Sequence, residues 1–131
     1  MTTAFTYTTP ILCVDNAQAS LDHYVAVLGF EIAWQWSDDD EFGGGTPVFA
    51  CVRRGEVSIF LGEKRQGNPG TWLMLHLDDR DDVDALHVEY QASGAKILEA
   101  PDDMPWGMRE MVVSDLDGNC FRIAAPVDRP S

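Results

Sequence analysis

Basic residues are scarce in this sequence. Nine Lys and Arg residues stand against 22 Asp and Glu residues among 131, and the formal net charge is −13. Such a surface repels phosphate backbones and anionic lipid headgroups, so we expect neither nucleic acid nor a membrane as a partner. The charge favours cationic ligands, although acidity of this kind also serves solubility alone.

Long apolar runs are missing as well. No stretch approaches the ~18 consecutive apolar residues that a membrane-spanning helix needs. The N-terminal residues combine neither the basic cluster nor the apolar block of a secretory signal peptide. Hydrophobic residues make up 45% and charged residues 24%, which is an ordinary globular composition. We therefore expect a cytoplasmic protein with a single domain over residues 1–131.

The cysteines are too few and too dispersed to form a disulfide framework. The three cysteines, Cys13, Cys51 and Cys120, each lie in an apolar, strand-like run. An odd number without a CxxC pair argues against a disulfide scaffold and against a structural zinc site. Buried free thiols in a reducing compartment are the prediction that remains.

Several familiar catalytic motifs are absent too. The sequence has no GxSxG, no GxGxxG, and no Walker lysine after the glycine run 43–45. His23 and His87 lie within predicted helices, where a structural role explains them. Nucleotide-binding and serine-hydrolase chemistry therefore have no support in the sequence.

What the sequence does contain is a repeat. A strand–helix–strand–strand–strand pattern occurs twice, in a module over 7–62 and another over 71–125. This predicts an α+β fold in which two βαβββ modules, paired as in ferredoxin-like repeats, form a curved mixed sheet around a cleft. Three pairs of residues occupy matching places in the two modules: Leu21 and Leu86, Ile32 and Ile97, and Gly55 and Gly118.

The same pattern predicts where the elements begin and end. Turn residues, capping residues and apolar alternation set these boundaries. Four of them are specific enough to test: a first strand over Tyr7–Val14, a first helix ended by Gly29, a second helix capped by Asp81 or Asp82, and a short strand over Lys96–Leu98 followed by a loop over Glu99–Pro105.

Two segments point to a known family. The first half contains SLDHYVAVLGFEI and the second half MREMVVSDLDGNCFRIA. In this order they resemble the vicinal-oxygen-chelate superfamily, which includes glyoxalase I, extradiol dioxygenases, fosfomycin-resistance enzymes and bleomycin-resistance proteins. The resemblance covers nearly the whole chain and implies the paired-module fold. Function does not follow from that fold alone, because its members include both enzymes and pure binders.

The metal positions of the family are not retained. The resemblance implies four ligand positions on the first and last strands of the modules, where Thr8, Ile59, Trp72 and Arg122 stand. None of these side chains is a good ligand for a divalent cation, and the fixed charge of Arg122 repels one. We therefore predict no bound metal and no cofactor.

One strand of the second module offers a candidate binding surface. Alternation along the fifth strand places Trp72, Met74 and His76 on one face and three leucines, at 73, 75 and 77, on the other. The leucine face is expected to pack on the helix, so the other face looks into the cleft. A simple hydrogen bond at the end of the strand also explains His76.

Further aromatic residues extend this surface. Trp106 lies in the segment PWGMRE, which is similar to a segment of the bleomycin-resistance proteins. Trp34 and Trp36 share a strand face and serve either as a stacking wall or as packing in the core or a dimer interface. Arg122 needs a carboxylate partner if it is buried, and Glu110 on the neighbouring strand is the candidate.

The resemblance implies a small-molecule-binding protein that sequesters an aromatic ligand without chemistry, with a cationic antibiotic as one candidate. It also implies a homodimer whose groove lies at the subunit interface, in some members with exchange of a strand or module. The alternative is a lyase, isomerase or dioxygenase that uses a divalent metal, or Glu110 or His76 as a base. The predicted ligand-binding residues are Trp34, Trp36, Trp72, Met74, His76, Trp106, Glu110 and Arg122.

Overall fold

The computed structural model describes residues 3–38 and 45–128. Two helices and eight strands follow one another in this part of the chain: β1 (Ile11–Val14), α1 (Ala17–Ala26), β2 (Glu31–Trp36), β3 (Phe49–Arg54), β4 (Val57–Glu63), β5 (Trp72–His76), α2 (Arg80–Ser93), β6 (Lys96–Asp103), β7 (Met108–Ser114) and β8 (Cys120–Pro126).

The strands form two sheets with the same connectivity. Sheet A has the strand order β1-β4-β3-β2, and sheet B has the equivalent order β5-β8-β7-β6. The first strand of each module pairs in parallel with the last, and the other neighbours are antiparallel. The predicted α+β fold of two βαβββ modules is confirmed. Its strands form two separate sheets of four, and neither sheet closes on itself.

The internal repeat is confirmed in detail. Gly55 and Gly118 occupy the tight turns between the last two strands of their modules, with φ of 59° and 79°. Both conformations are left-handed, where a Cβ would be strained. Ile32 on β2 and Ile97 on β6 each stand directly before an irregularity in the strand register.

Several predicted boundaries differ from the structure. The first strand begins at Ile11 rather than Tyr7, whose side chain is 82% exposed. Helix α1 ends at Ala26 and is capped by Val27, and Gly29, with φ of 78°, lies two residues beyond the cap. Helix α2 is capped by Asp79, and Asp82 is the third residue of its capping box.

The sixth strand shows the largest difference. Residues 99–103, which were expected in a loop, continue β6 as far as Asp103 and pair with β7. The segment is polar and contains Pro101, so its sequence lacks the apolar alternation of a half-buried strand. β6 lies at the edge of sheet B, where proline and charged residues are tolerated because one side needs no hydrogen bonds.

One hydrophobic core joins the two modules. It contains the inward residues of both sheets together with residues of both helices, among them Leu12, Leu61, Met111 and Phe121. The leucines of β5 pack against this core, as expected. Because both sheets turn one face toward the shared core, the opposite face of each sheet is directed outward.

Two tyrosines, one from each helix, link the modules across this core. Tyr24 donates a hydrogen bond to Asp115 Oδ2 at 2.7 Å, and Tyr90 donates one to the carbonyl oxygen of Leu28 at 2.8 Å. Burial, then the Asp115 charge, raises the pKa of Tyr24 well above its usual value. Burial likewise raises the pKa of Tyr90 to about 12. Both hydroxyl groups therefore stay protonated and donate.

The DLDGN turn has a structural role at this junction. Asp115 accepts hydrogen bonds from the backbone of Asp117 and Asn119 and from the Asn119 side chain. The Asn119 amide reaches Cys13 O in the other module at 3.4 Å. The three cysteines are buried and free, and no described helix is long and apolar enough to cross a membrane.

Candidate ligand-binding site

The outward surface of sheet B carries most of the predicted site. Trp72, Met74 and His76 alternate along β5, and the strand register places Met74 beside Arg122 and Glu110 beside Ala124. We call these five side chains, Trp72, Met74, His76, Glu110 and Arg122, the outer face of sheet B. Trp72 is 57% exposed and Met74 is 44% exposed, so both remain available to a ligand or partner.

A buried carboxylate organises this face. Glu110 is 1% exposed, and both of its oxygens accept hydrogen bonds. Arg122 NH1 lies 2.7 Å from Oε1, and the indole Nε1 of Trp106 lies 2.7 Å from Oε2. The expected pairing of Arg122 with Glu110 is therefore confirmed. The Glu110 carboxylate fixes the guanidinium on the sheet through one oxygen and holds the Trp106 indole of the β6–β7 turn through the other.

The rings around this pair are exposed rather than packed. The Arg122 guanidinium carbon lies 6.0 Å from the centroid of the Trp72 ring, a cation–π distance. Trp106 is 61% exposed although its N–H is bonded. The arrangement thus presents flat apolar surfaces beside a fixed cation, which suits stacking of a planar molecule.

Arg109 contacts α2 and β6, on the side of sheet B opposite to Glu110. It precedes Glu110 on β7 and points to the opposite side of sheet B. There it donates hydrogen bonds of 2.9 to 3.0 Å to Asp84 on α2, and one of 2.9 Å to Asp103 on β6. The two neighbours therefore lie on opposite faces, which is what alternation along a strand requires.

Sheet A presents a different outward surface. Trp34 stacks on Phe49 with ring centroids 5.7 Å apart, and Phe60 meets both rings edge-on at 5.0 and 5.5 Å. Trp36 lies nearby, with Arg65 5.8 Å from its ring centroid. We call Trp34, Trp36, Phe49 and Phe60 the outer face of sheet A. The two phenylalanines were not among the predicted site residues, although the register of the β3–β4 hairpin places both on this face.

The predicted site residues therefore fall into two groups. The outer face of sheet B and Trp106 lie together, whereas Trp34 and Trp36 lie on the outer face of sheet A. The shared core separates the two faces within one chain. Trp34 and Trp36 are 42% and 46% exposed, which excludes the core as their place.

A concavity does lie between the modules, on the core side. Its volume is about 480 Å³, and the β3–β4 turn, the end of β5 and helix α2 form its walls. Of the eight predicted site residues, only His76 lines it. The expectation that Trp72 and Met74 look into the space between the modules of one chain is wrong, because alternation along β5 directs them away from the core against which Leu73 and Leu75 pack.

The residues at the presumed ligand positions do not fit the divalent metal that enzymes of the resembled superfamily use. Ile59 is fully buried in the core and Thr8 is exposed before β1, so the four presumed ligand positions do not converge. The register of β4 places Phe60, not Ile59, on the outward side. Within residues 3–38 and 45–128, no group of three or more His, Cys, Asp or Glu side chains could hold a metal ion.

The sequence matches one family model. The model described as the Glyoxalase/Bleomycin resistance protein/Dioxygenase superfamily matches residues 5–123. The chain belongs to this superfamily, within the vicinal-oxygen-chelate group that the two sequence segments indicated. No curated protein matches the chain in sequence.

Solved structures share the fold over nearly the whole chain. A superfamily member from Sphaerobacter thermophilus is 27% identical, with a TM-score of 0.66 over 92% of this chain and 98% of that one. The bleomycin resistance determinant encoded on transposon Tn5 is 18% identical, with a TM-score of 0.72 over 93% and 98%. A lactoylglutathione lyase from Agrobacterium tumefaciens is 15% identical, with a TM-score of 0.73 over 92% of each chain.

Proposed function

We propose that this protein binds and sequesters a planar aromatic small molecule and performs no chemistry on it. The observation that carries the proposal is the outer face of sheet B. The exposed ring of Trp72 lies beside a guanidinium that the buried Glu110 carboxylate holds in place, and the exposed Trp106 donates to the same carboxylate. Stacking and cation–π contacts contribute about 0.5–2 kcal/mol each, so a few of them give useful affinity.

Glu110 is poorly placed to act as a catalytic base. Its two carboxylate oxygens already accept hydrogen bonds from Arg122 and Trp106, and the side chain is 1% exposed. A base must reach the proton that it removes, which requires an accessible lone pair. This geometry argues against Glu110 as the base of the isomerase, lyase or dioxygenase alternatives.

The proposal extends to a homodimer. One chain exposes two aromatic faces that its own modules cannot bring together. In the dimer that we propose, the outer face of sheet A in one copy lies opposite the outer face of sheet B in the other. Trp34 and Trp36 of one copy would then form the second wall of a groove whose first wall is Trp72 and Trp106. Such a groove encloses a flat ligand on both sides.

The net charge supports a ligand with a positive group. At −13, the protein attracts cations over a distance and repels anions, so the cationic antibiotics sequestered by some members of the superfamily remain the candidate class. We place the protein in the cytoplasm, and its three buried, free thiols suit a reducing compartment.

Calorimetric titration with bleomycin and smaller planar cations tests this function. We expect binding to the wild-type protein, and about tenfold weaker binding for Trp72→Ala and for Trp106→Ala, because each variant removes one stacking surface. Val88→Ala is the matched control, since Val88 is 64% exposed on α2, away from the site. Equal affinity in all four proteins would contradict the assignment of the site.

A further inference from the structure

Arg122 has hydrogen-bonding capacity that the fold does not use. Its NH1 donates to Glu110, while Nε and NH2 have no hydrogen-bond partner among the described residues. The side chain is 36% exposed, so these donors meet solvent on the outer face of sheet B. A guanidinium has five N–H groups in a fixed plane, and the bond to Glu110 determines where the remaining ones point.

A ligand that stacks on the outer face of sheet B lies next to the unused N–H donors of Arg122. The guanidinium lies over the face of the Trp72 ring, 6.0 Å from its centroid, so a molecule that stacks on the uncovered part of that face comes next to Arg122. Covering a charged donor without giving it a partner weakens binding, because the donor loses its hydration. A hydrogen bond to the same donor instead strengthens binding. The surface therefore discriminates between ring substituents by whether they accept.

The local charges decide which acceptor is favoured. Glu110 balances the charge of Arg122 at 2.7 Å, and the protein as a whole carries −13. A carboxylate on the ligand would gain little from a neutralised arginine and would be repelled by the remaining charge. An ammonium group has only donors, so it would leave the remaining N–H groups of Arg122 without a partner. An uncharged oxygen accepts from them and avoids both costs.

We propose that Arg122 selects planar aromatic ligands that carry an uncharged carbonyl oxygen at the ring edge. This inference rests on the proposed function, because it assigns the chemistry of the ligand at the same surface. It concerns only the substituent beside Arg122. A positive group elsewhere on the ligand still responds to the net charge of the protein.

Four matched probes test the selection. They are naphthalene-2-carboxamide, naphthalene-2-carboxylate, 2-naphthylmethylammonium and 2-methylnaphthalene, which share a ring system and differ in the substituent. We expect the carboxamide to bind at least tenfold more tightly than the methyl compound, corresponding to about 1.4 kcal/mol. The carboxylate and the ammonium compound should both bind more weakly than the carboxamide.

Arg122→Lys provides the variant. Lysine can still pair with Glu110 but lacks the planar fork, so we expect the ratio of carboxamide to methyl affinity to fall toward one. Thermal unfolding of the variant checks that the fold survives, and a purely structural role would not change this ratio.

The outcomes separate the two proposals. If the methyl compound binds but the carboxamide binds no more tightly, Arg122 does not select acceptors and the proposed binding function stands. The same conclusion follows if Arg122→Lys keeps the full preference for the carboxamide. If none of the four probes binds at millimolar concentration, the outer face of sheet B is not an aromatic site and both proposals fail.

Discussion

The two modules share one topology but present different outer faces. On sheet A, Trp34, Phe49 and Phe60 touch one another at centroid distances of 5.0 to 5.7 Å and form a continuous aromatic surface. On sheet B, Trp72 and Trp106 contact an ion pair formed by the buried Glu110 and the partly exposed Arg122. The same backbone topology thus supports two different surfaces. The outer face of sheet A suits burial against a second copy, and the outer face of sheet B suits recognition of a substituent on the ligand ring.

The difference arises from what each face must satisfy. Aromatic rings need only one another, so the sheet A cluster is stable without polar partners. Glu110 is buried, and a buried carboxylate is tolerated only with a cation or donors close by. Arg122 and Trp106 meet that requirement and are thereby held in fixed positions. Rigidity on sheet B is a consequence of burying a charge.

Removing Arg122 should have the largest effect on sheet B. Arg122→Leu leaves Glu110 buried with one partner instead of two, and we expect a loss of about 3 kcal/mol in the free energy of unfolding. Glu110→Leu should cost less, about 1–2 kcal/mol, because Arg122 is 36% exposed and can be hydrated. Urea denaturation at fixed protein concentration measures both.

The double variant supplies the control for this pair. Arg122→Leu combined with Glu110→Leu removes both charges, so its loss should be smaller than the sum of the single losses. Additive losses would show that the two side chains do not stabilise one another, and the contrast between the two faces would then lose its physical basis.

The tyrosines at the junction allow a second comparison between modules. Tyr24→Phe removes a 2.7 Å hydrogen bond to a buried carboxylate, and Tyr90→Phe removes a 2.8 Å bond to a neutral carbonyl. Bonds to charged groups are stronger, so we expect losses of about 2 and 1 kcal/mol respectively. Urea denaturation of the two variants at the same pH checks the order, and a larger loss for Tyr90→Phe would reverse our interpretation.

Trp34→Ala and Trp72→Ala compare the outer faces directly. Trp34 contacts two aromatic rings, whereas Trp72 has a cation–π contact with Arg122, so we expect about 1–2 kcal/mol for the first and about 0.5 kcal/mol for the second. Light scattering should give twice the 14.5 kDa mass of one chain for the wild-type protein and a lower mass for Trp34→Ala. A wild-type mass of one chain at micromolar concentration would contradict the dimer.

The smallest effect concerns pH at the junction. Burial lowers the pKa of His23 below 6.5, although the nearby charges of Asp115 and Asp117 oppose this. The unfolded state therefore binds more protons just below pH 6.5, so stability should fall as the pH drops through that region. His23→Gln should reduce this pH dependence, measured as the thermal midpoint from pH 7.5 to 5. An unchanged profile would assign the effect to other groups.

Much of the fold could be predicted from the sequence. Apolar alternation located the strands of sheet A, and the repeat around Gly55 and Gly118 gave the two modules with their connectivity. The polar part of β6, up to Asp103, could not be predicted from the sequence. Backbone hydrogen bonds hold an edge strand, and these do not depend on the type of side chain. Local patterns likewise indicated that Trp72, Met74 and His76 share one face.

The sequence by itself determined the family, the two modules, and the composition of each strand face, because these depend on residues close together in the chain. The tertiary structure alone decided how the modules meet. They share a core through their inward faces, so Trp34 and Trp72 lie on separate surfaces rather than around one cleft. The arrangement with two separate surfaces and the one with a single cleft bury the same apolar residues of each strand. The choice between them depends on long-range contacts such as Tyr24 with Asp115, 91 positions apart, which no local pattern encodes.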